Sequence, residues 1–142
     1  MKTGVTINDV ERVDLPRLPD ARGNLSFVEE LKHIPFRIET AYWVNDVPGG
    51  EGIDGYSAKD SSELIISISG NFDVVVSDGY EEAWFSLNRS YSGLYIPKMI
   101  WRRLENFSTN SLAFILSSSG DVDKDYTRDF EEFLAIKDCE KG

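Results

Sequence analysis

Apolar and polar residues alternate with a period of two at Leu25 to Glu29, Phe36 to Asn45, Glu63 to Ser69, Phe72 to Ser77, Glu82 to Leu87, Gly93 to Ile96 and Leu112 to Ser117. Successive side chains of a strand point to opposite faces, so each stretch predicts a strand, and its β-branched and aromatic content agrees. In VSDGYEEAWF the pair Asp78-Gly79 stands between two of them, which predicts a hairpin with a type I′ turn. Gly49, Gly50 and Gly52 mark a loop, and Pro97 ends the strand GLYI because proline cannot donate to a ladder. Near the end, DYTRDFEEFLAIK spaces Tyr126, Phe130, Phe133, Leu134 and Ile136 close to the helical period. That predicts one amphipathic helix over about 125–137, its apolar face on the outside of a sheet.

Many short strands with turn signals and one terminal helix predict an all-β fold, a sandwich or a double-sheet jelly roll. Periodicity alone leaves the choice between them open. With 142 residues and no internal repeat or linker, one domain over 1–142 is expected, its core at about 20–120.

Composition narrows the function classes. Apolar residues are 41% and charged residues 28%, ordinary globular values, and no apolar run approaches the roughly 20 residues of a membrane-spanning helix. A formal charge of −10 argues against a nonspecific nucleic-acid binder, since phosphate backbones are held by Lys and Arg. The first residues, MKTGVTINDVERVDLP, lack the apolar core of a secretory leader, so a cytoplasmic protein is expected. The single cysteine, Cys139, can form no internal disulfide and reads as a tail residue.

The spacing of a few residues chooses among the folds. Gly50-x5-Tyr56-x-Ala58-x4-Glu63-x6-Gly70 has the frame of the first cupin motif, G-x5-H-x-H-x4-E-x6-G, with neither histidine. Pro97-x-Met99-x2-Arg102-x3-Asn106 likewise follows the second motif, P-x-G-x2-H-x3-N, with arginine at the histidine place. The chain thus resembles a cupin, a small double-stranded β-helix, without its ligands. A lone carboxylate does not meet the ligand count of a zinc-type site, so no metal or other cofactor is expected. Glu63 and Arg102 are expected to form an ion pair inside the barrel instead.

A longer resemblance runs from Asp20 to Phe133. The words DARGNLSFVEE, IPFRIETAYWV, GLYIPKMIW, ENFS and DYTRDFEEF are similar to those of the sugar 3,4-ketoisomerase (WxcM-like) cupins. The resemblance implies a dTDP-linked 4-oxo-6-deoxyhexose ligand, a role in bacterial surface-polysaccharide biosynthesis and a homodimer. The family's active-site word, R-G-x-H-A-H-K, falls on Ile53-Asp54-Gly55-Tyr56-Ser57-Ala58-Lys59, which retains the lysine alone. In the family the histidines are understood to remove the proton beside the ketone and return one through an enediol. Imidazole, with a pKa of about 6.5, suits that task, whereas a phenol at about 10 is a poor base and alanine is none. The sole histidine, His33 in EELKHIP, does not match the word and reads as a surface or loop residue.

Other positions match the family's ligand site: Arg22, Tyr42, Lys59 and Trp101, with Arg102 and Arg103 adding positive charge where many members have His-Glu. Such guanidinium groups favour a diphosphate, although Asp54 would repel one unless it points away or pairs with Lys59.

Three readings follow. The chain binds a nucleotide sugar but has lost or strongly altered the isomerisation; or it isomerises through Tyr56, Lys59 or Glu63, with the Lys59 ammonium lowering the pKa of Tyr56; or it is an interaction module that pairs with a complete homologue.

Overall fold

The computed structural model describes residues 4–141. Its strands are β1 Glu11–Asp14, β2 Arg17–Asp20, β3 Gly23–Ser26, β4 Thr40–Asn45, β5 Ile53–Ala58, β6 Glu63–Ser69, β7 Phe72–Ser77, β8 Glu82–Leu87, β9 Ser92–Ile96, β10 Trp101–Glu105, β11 Leu112–Ser117 and β12 Tyr126–Thr127. The helices are a single turn, α1 Val122–Asp125, and the longer α2 Phe130–Lys141. One five-stranded sheet runs β1-β9-β6-β11-β4 and a second runs β12-β5-β10-β7-β8, every pairing antiparallel. The two face each other as the double sheet of a cupin jelly roll, while β2 and β3 form a separate hairpin.

The alternation of each strand sorts its side chains into layers. Ile65 of β6, Val74 and Val76 of β7, Leu104 of β10 and Ile115 of β11 meet between the sheets, with Phe72 and Phe107 stacked at 4.8 Å. The opposite faces of β6 and β11 carry Leu64, Ile66 and Leu116 outward, where Ile34 and Phe36 cover them. Both motif glycines stand where the backbone is left-handed, Gly50 at φ 84° and Gly70 at φ 71°. Met99, at the second motif's glycine place, takes φ 59° as well, so the turn keeps its shape without the residue that would adopt it most cheaply.

Four expectations need correction. The stretch from Ile53 to Ala58 is a strand, β5, and its weak apolar pattern reflects Asp54, Gly55 and Ser57 and a bulge opposite Arg102–Leu104. The hairpin between β7 and β8 closes at Ser77–Glu82 with a four-residue loop, and only Gly79 has positive φ there. The Asp78 carboxylate instead accepts from the amides of Tyr80, Glu81 and Ile7, folding the loop around a buried acid. The terminal helix α2 begins at Phe130, because Tyr126 and Thr127 pair with Ala58 and Ser57 of β5. The strand expected from Phe36 begins at Thr40. Among the described residues no helix is long and apolar enough to cross a membrane, and the side chain of Cys139 lies outside them.

Candidate functional site

At one end of the barrel the inward positions become polar. Glu63 opens β6 and pairs with Ser117 and Ile96 on its neighbours; Arg102 of β10 lies opposite Tyr56 of β5. The bulge between β5 and β10 matters here. Ile53 and Tyr56 are an odd number of residues apart, yet both line the same cavity because the bulge re-aims the strand.

Glu63 is the centre of this end. Arg102 Nη1 donates to its Oε1 at 2.6 Å, and neither side chain has any solvent exposure. The Tyr56 hydroxyl donates to the same oxygen at 3.0 Å, while those of Tyr42 and Tyr126 donate to Oε2. The Tyr42 hydroxyl is 3.0 Å from that of Tyr56 and 3.3 Å from that of Tyr126, and Ser117 Oγ is 3.1 Å from Tyr126 Oη. Arg102 Nη2 donates to the Ile100 carbonyl at 2.7 Å, and its guanidinium lies 5.1 Å from the centre of the Tyr56 ring. The expected ion pair is present and fully buried. Removing two charges from water is costly, and four donors converging on one carboxylate offset that cost.

The same arrangement fixes protonation. Burial, followed by the Glu63 charge, raises the Tyr56 phenol well above its ordinary range despite an opposing effect of Arg102. Burial and Glu63 likewise raise Tyr126, and burial with the neighbouring Tyr56 and Glu63 raises Tyr42. For Arg102 burial works against the charge, but Glu63 and the tyrosine oxygens outweigh it. All three phenols are therefore neutral donors at neutral pH, and the guanidinium is charged.

Above this floor is a cavity of about 430 Å³ lined by Thr40, Tyr42, Val44, Ile53, Tyr56, Val122, Tyr126 and Arg128. Its outer wall, residues 121–129, hangs on the corner after β5. The Asp125 carboxylate accepts from the Asp60 amide at 2.8 Å and from the Ser61 hydroxyl, and its carbonyl accepts from the Lys59 amide at 3.0 Å. Those contacts aim the next residue, Tyr126, at Glu63, with its ring stacked 5.3 Å from that of Tyr56.

Residues 8–138 match the model of the family described as FdtA, WxcM-like, C-terminal. The chain belongs to this family. The WxcM-like chain is 27% identical over 121 residues, 85% of its own length and 87% of the relative's, to the TDP-4-oxo-6-deoxy-alpha-D-glucose-3,4-oxoisomerase of Aneurinibacillus thermoaerophilus. It is similar to the solved TDP-quinovose 3,4-ketoisomerase of Campylobacter jejuni, at 31% identity and TM-score 0.85, covering 91% of this chain and 99% of that one. Its fold also matches a mutant 3,4-ketoisomerase from Thermoanaerobacterium thermosaccharolyticum in complex with TDP-4-keto-6-deoxyglucose, at 24% identity and TM-score 0.87, covering 92% and 95%.

Of the residues singled out in the sequence of this WxcM-like chain, Tyr42, Tyr56, Glu63 and Arg102 come together at the barrel end. The others stand elsewhere. Lys59 pairs with Glu132 at 3.9 Å, and the influences on Tyr56 that matter are burial, Glu63 and Arg102, so the expected lowering of the Tyr56 pKa does not occur. Trp101 faces away from Arg102 to the outside of β10. Its indole lies over Gly55, where a Cβ would fall 2.3 Å from Nε1, and against Phe130 and Phe133 of α2. Arg103, also outward, pairs with Glu105 at 3.0 Å and Glu82 at 3.5 Å. Arg22 is exposed at the β2–β3 turn beside Asp20, and Asp54 is exposed. His33 accepts from the Glu29 amide at 2.9 Å in a loop.

Tyr126, Ser117, Thr40 and Arg128 were not legible as site residues. Tyr126 and Arg128 lie within DYTRDFEEF, whose spacing suggested a helix; their pairing to β5 is a long-range contact that no local pattern reports.

Proposed function

We propose that this protein binds a TDP-linked 4-oxo-6-deoxy sugar in the tyrosine-lined cavity, and that 3,4-ketoisomerisation in it is lost or strongly altered. The observation that carries this reading is the pair of inward positions 56 and 58. One bears a phenol committed to Glu63 and held neutral; the other is Ala58, buried and without a titratable group. Moving a proton between adjacent sugar carbons needs a group that can both accept and donate near neutral pH. Among the described residues Glu63 is the only carboxylate on this floor, and its oxygens already accept from Arg102 and three hydroxyls.

Binding is supported by a cavity whose walls combine aromatic and aliphatic surface with phenolic groups, suited to a deoxy sugar with few hydroxyls. The structural relative from Thermoanaerobacterium holds TDP-4-keto-6-deoxyglucose on the same fold. A place in bacterial surface-polysaccharide synthesis in the cytoplasm goes with that ligand. Isothermal titration of the full chain with TDP-4-keto-6-deoxyglucose tests the reading. Saturable binding weakened by Tyr42→Ala is the expected result; no binding at millimolar ligand leaves the interaction module as the better description.

The protein also acts as a homodimer in this reading. The hairpin of β2 and β3 pairs with neither five-stranded sheet, and an isolated two-stranded hairpin is marginal in water. Leu18 and Leu25 on it, and Trp43 and Ile68 on the outer face of the first sheet, are exposed. A second copy burying these residues accounts for them, and sedimentation at micromolar concentration should give twice the 16.1 kDa chain mass.

A further inference from the structure

The hydroxyls around the cavity have no proton left to give a ligand. A phenol carries a single O–H and keeps its lone pairs for accepting. At the floor the protons of Tyr42 and Tyr126 go to Glu63 Oε2, and that of Tyr56 goes to Oε1 at 3.0 Å. The other contacts, Tyr42 with Tyr56 at 3.0 Å, Tyr42 with Tyr126 at 3.3 Å and Tyr126 with Ser117 at 3.1 Å, join oxygens of the same cluster. Whichever way the hydrogens are assigned, every phenolic proton has an acceptor inside the cluster.

The remaining lining adds little. Thr40 gives its proton to the Ser119 carbonyl at 2.6 Å, and the side chains of Val44, Ile53 and Val122 have none to give. Arg102 Nε is without an acceptor, but the residue is fully buried and does not line the cavity. Among the lining side chains Arg128 alone carries N–H groups, and it is exposed. The floor is therefore an acceptor surface. A pyranose with a diphosphate on C1 keeps that charged end toward water, so C4, the ring carbon opposite, goes in foremost. A ketone oxygen there meets phenol oxygens with no hydrogen between them, and an enediolate oxygen, which needs donors more, is disfavoured further. A hydroxyl can donate to one of these oxygens.

We propose that the sugar nucleotide this floor selects carries a hydroxyl rather than a ketone at C4, so that the preferred ligand is a TDP-linked 6-deoxyhexose in its reduced form. This rests on the nucleotide-sugar reading given above and orders the ligands within it: the 4-oxo sugar binds, as the weaker of the two. An ammonium at C4 would find no net charge to complement it, because Arg102 balances Glu63, so the recognised donor is neutral.

The test is isothermal titration of the full-length protein with TDP-6-deoxyglucose, TDP-4-keto-6-deoxyglucose and TDP-4-amino-4,6-dideoxyglucose. The 4-hydroxyl ligand should bind about tenfold more tightly than the 4-oxo ligand, and the 4-amino ligand no more tightly than the 4-hydroxyl one. Tyr126→Phe removes one acceptor oxygen and should narrow the ratio of hydroxyl to oxo affinity, whereas a loss of packing alone weakens both ligands alike. Equal affinities in the parent, a preference for the ketone, or a ratio that Tyr126→Phe leaves unchanged overturns the assignment while leaving the nucleotide-sugar reading in place. A preference for the amine overturns the neutral donor. A parent protein that binds neither TDP nor any of the three removes the nucleotide-sugar reading, and this preference with it.

Discussion

The two ends of the barrel are chemically opposite. At one end Phe72, Val74, Leu104, Phe107 and Ile115 fill the space between the sheets with apolar surface. At the other, the same strands β6 and β10 turn Glu63 and Arg102 inward, and β4 and β5 supply Tyr42 and Tyr56. The apolar end gains stability from area and asks little of geometry. The polar end is tolerable because Glu63 accepts from Arg102 and three hydroxyls, even though Arg102 Nε finds no acceptor among the described residues. The floor beneath an open cavity is the feature on which the proposed ligand site rests.

Breaking the polar end should have the largest effect. Arg102→Leu leaves the Glu63 carboxylate buried without its counter-charge and should cost about 3–5 kcal/mol in urea unfolding, with most of that recovered when Glu63→Leu is added. A truncation at the apolar end, Leu104→Ala, should cost about 2–4 kcal/mol, and no second substitution in the cluster should rescue it. The contrast between a rescuable and a non-rescuable loss is the sharpest mark of the difference between the ends.

Alkaline titration separates them next. Tyr42, Tyr56 and Tyr126 hold their protons in the folded chain beyond their ordinary range, so above about pH 10 the unfolded chain binds fewer protons than the native one. Their contribution is fully present below that pH and is lost as pH rises toward the folded values. Stability should fall by about 1.4 kcal/mol per pH unit for each such phenol, and Tyr126→Phe should flatten the fall. Leu104→Ala should leave the slope unchanged. The smallest effect is expected for Tyr56→Phe, about 1 kcal/mol at pH 7, because Glu63 keeps Arg102 and two hydroxyl donors.

How much of this was legible follows the same division. The strands Glu63–Ser69, Phe72–Ser77 and Leu112–Ser117 were readable to the residue because each is a run rich in β-branched and other apolar residues. Strand β10, WRRLE, was not, since the residue it turns inward is Arg102 and a buried charge hides the alternation. Strand β5 was hidden by its glycine and its bulge. The motif spacing did foretell the pairing of Glu63 with Arg102, because it fixes inward positions on strands of the two facing sheets. It could not place Trp101 and Arg103, which flank Arg102 and so point outward. Nor could it bring in Tyr126 and Arg128, whose wall is held by Asp125 across a gap of more than sixty residues from Asp60 and Ser61.

The central claim is that the floor holds a sugar nucleotide without exchanging its protons. Proton NMR of TDP-4-keto-6-deoxyglucose in deuterium oxide with the full chain tests it most directly, since line broadening reports binding and loss of the C3 proton signal reports exchange. The expected result is broadening with C3 deuteration no faster than in the protein-free control. Rapid deuteration at C3 that Tyr56→Phe or Glu63→Gln abolishes would contradict the claim and restore an isomerase with a base other than histidine.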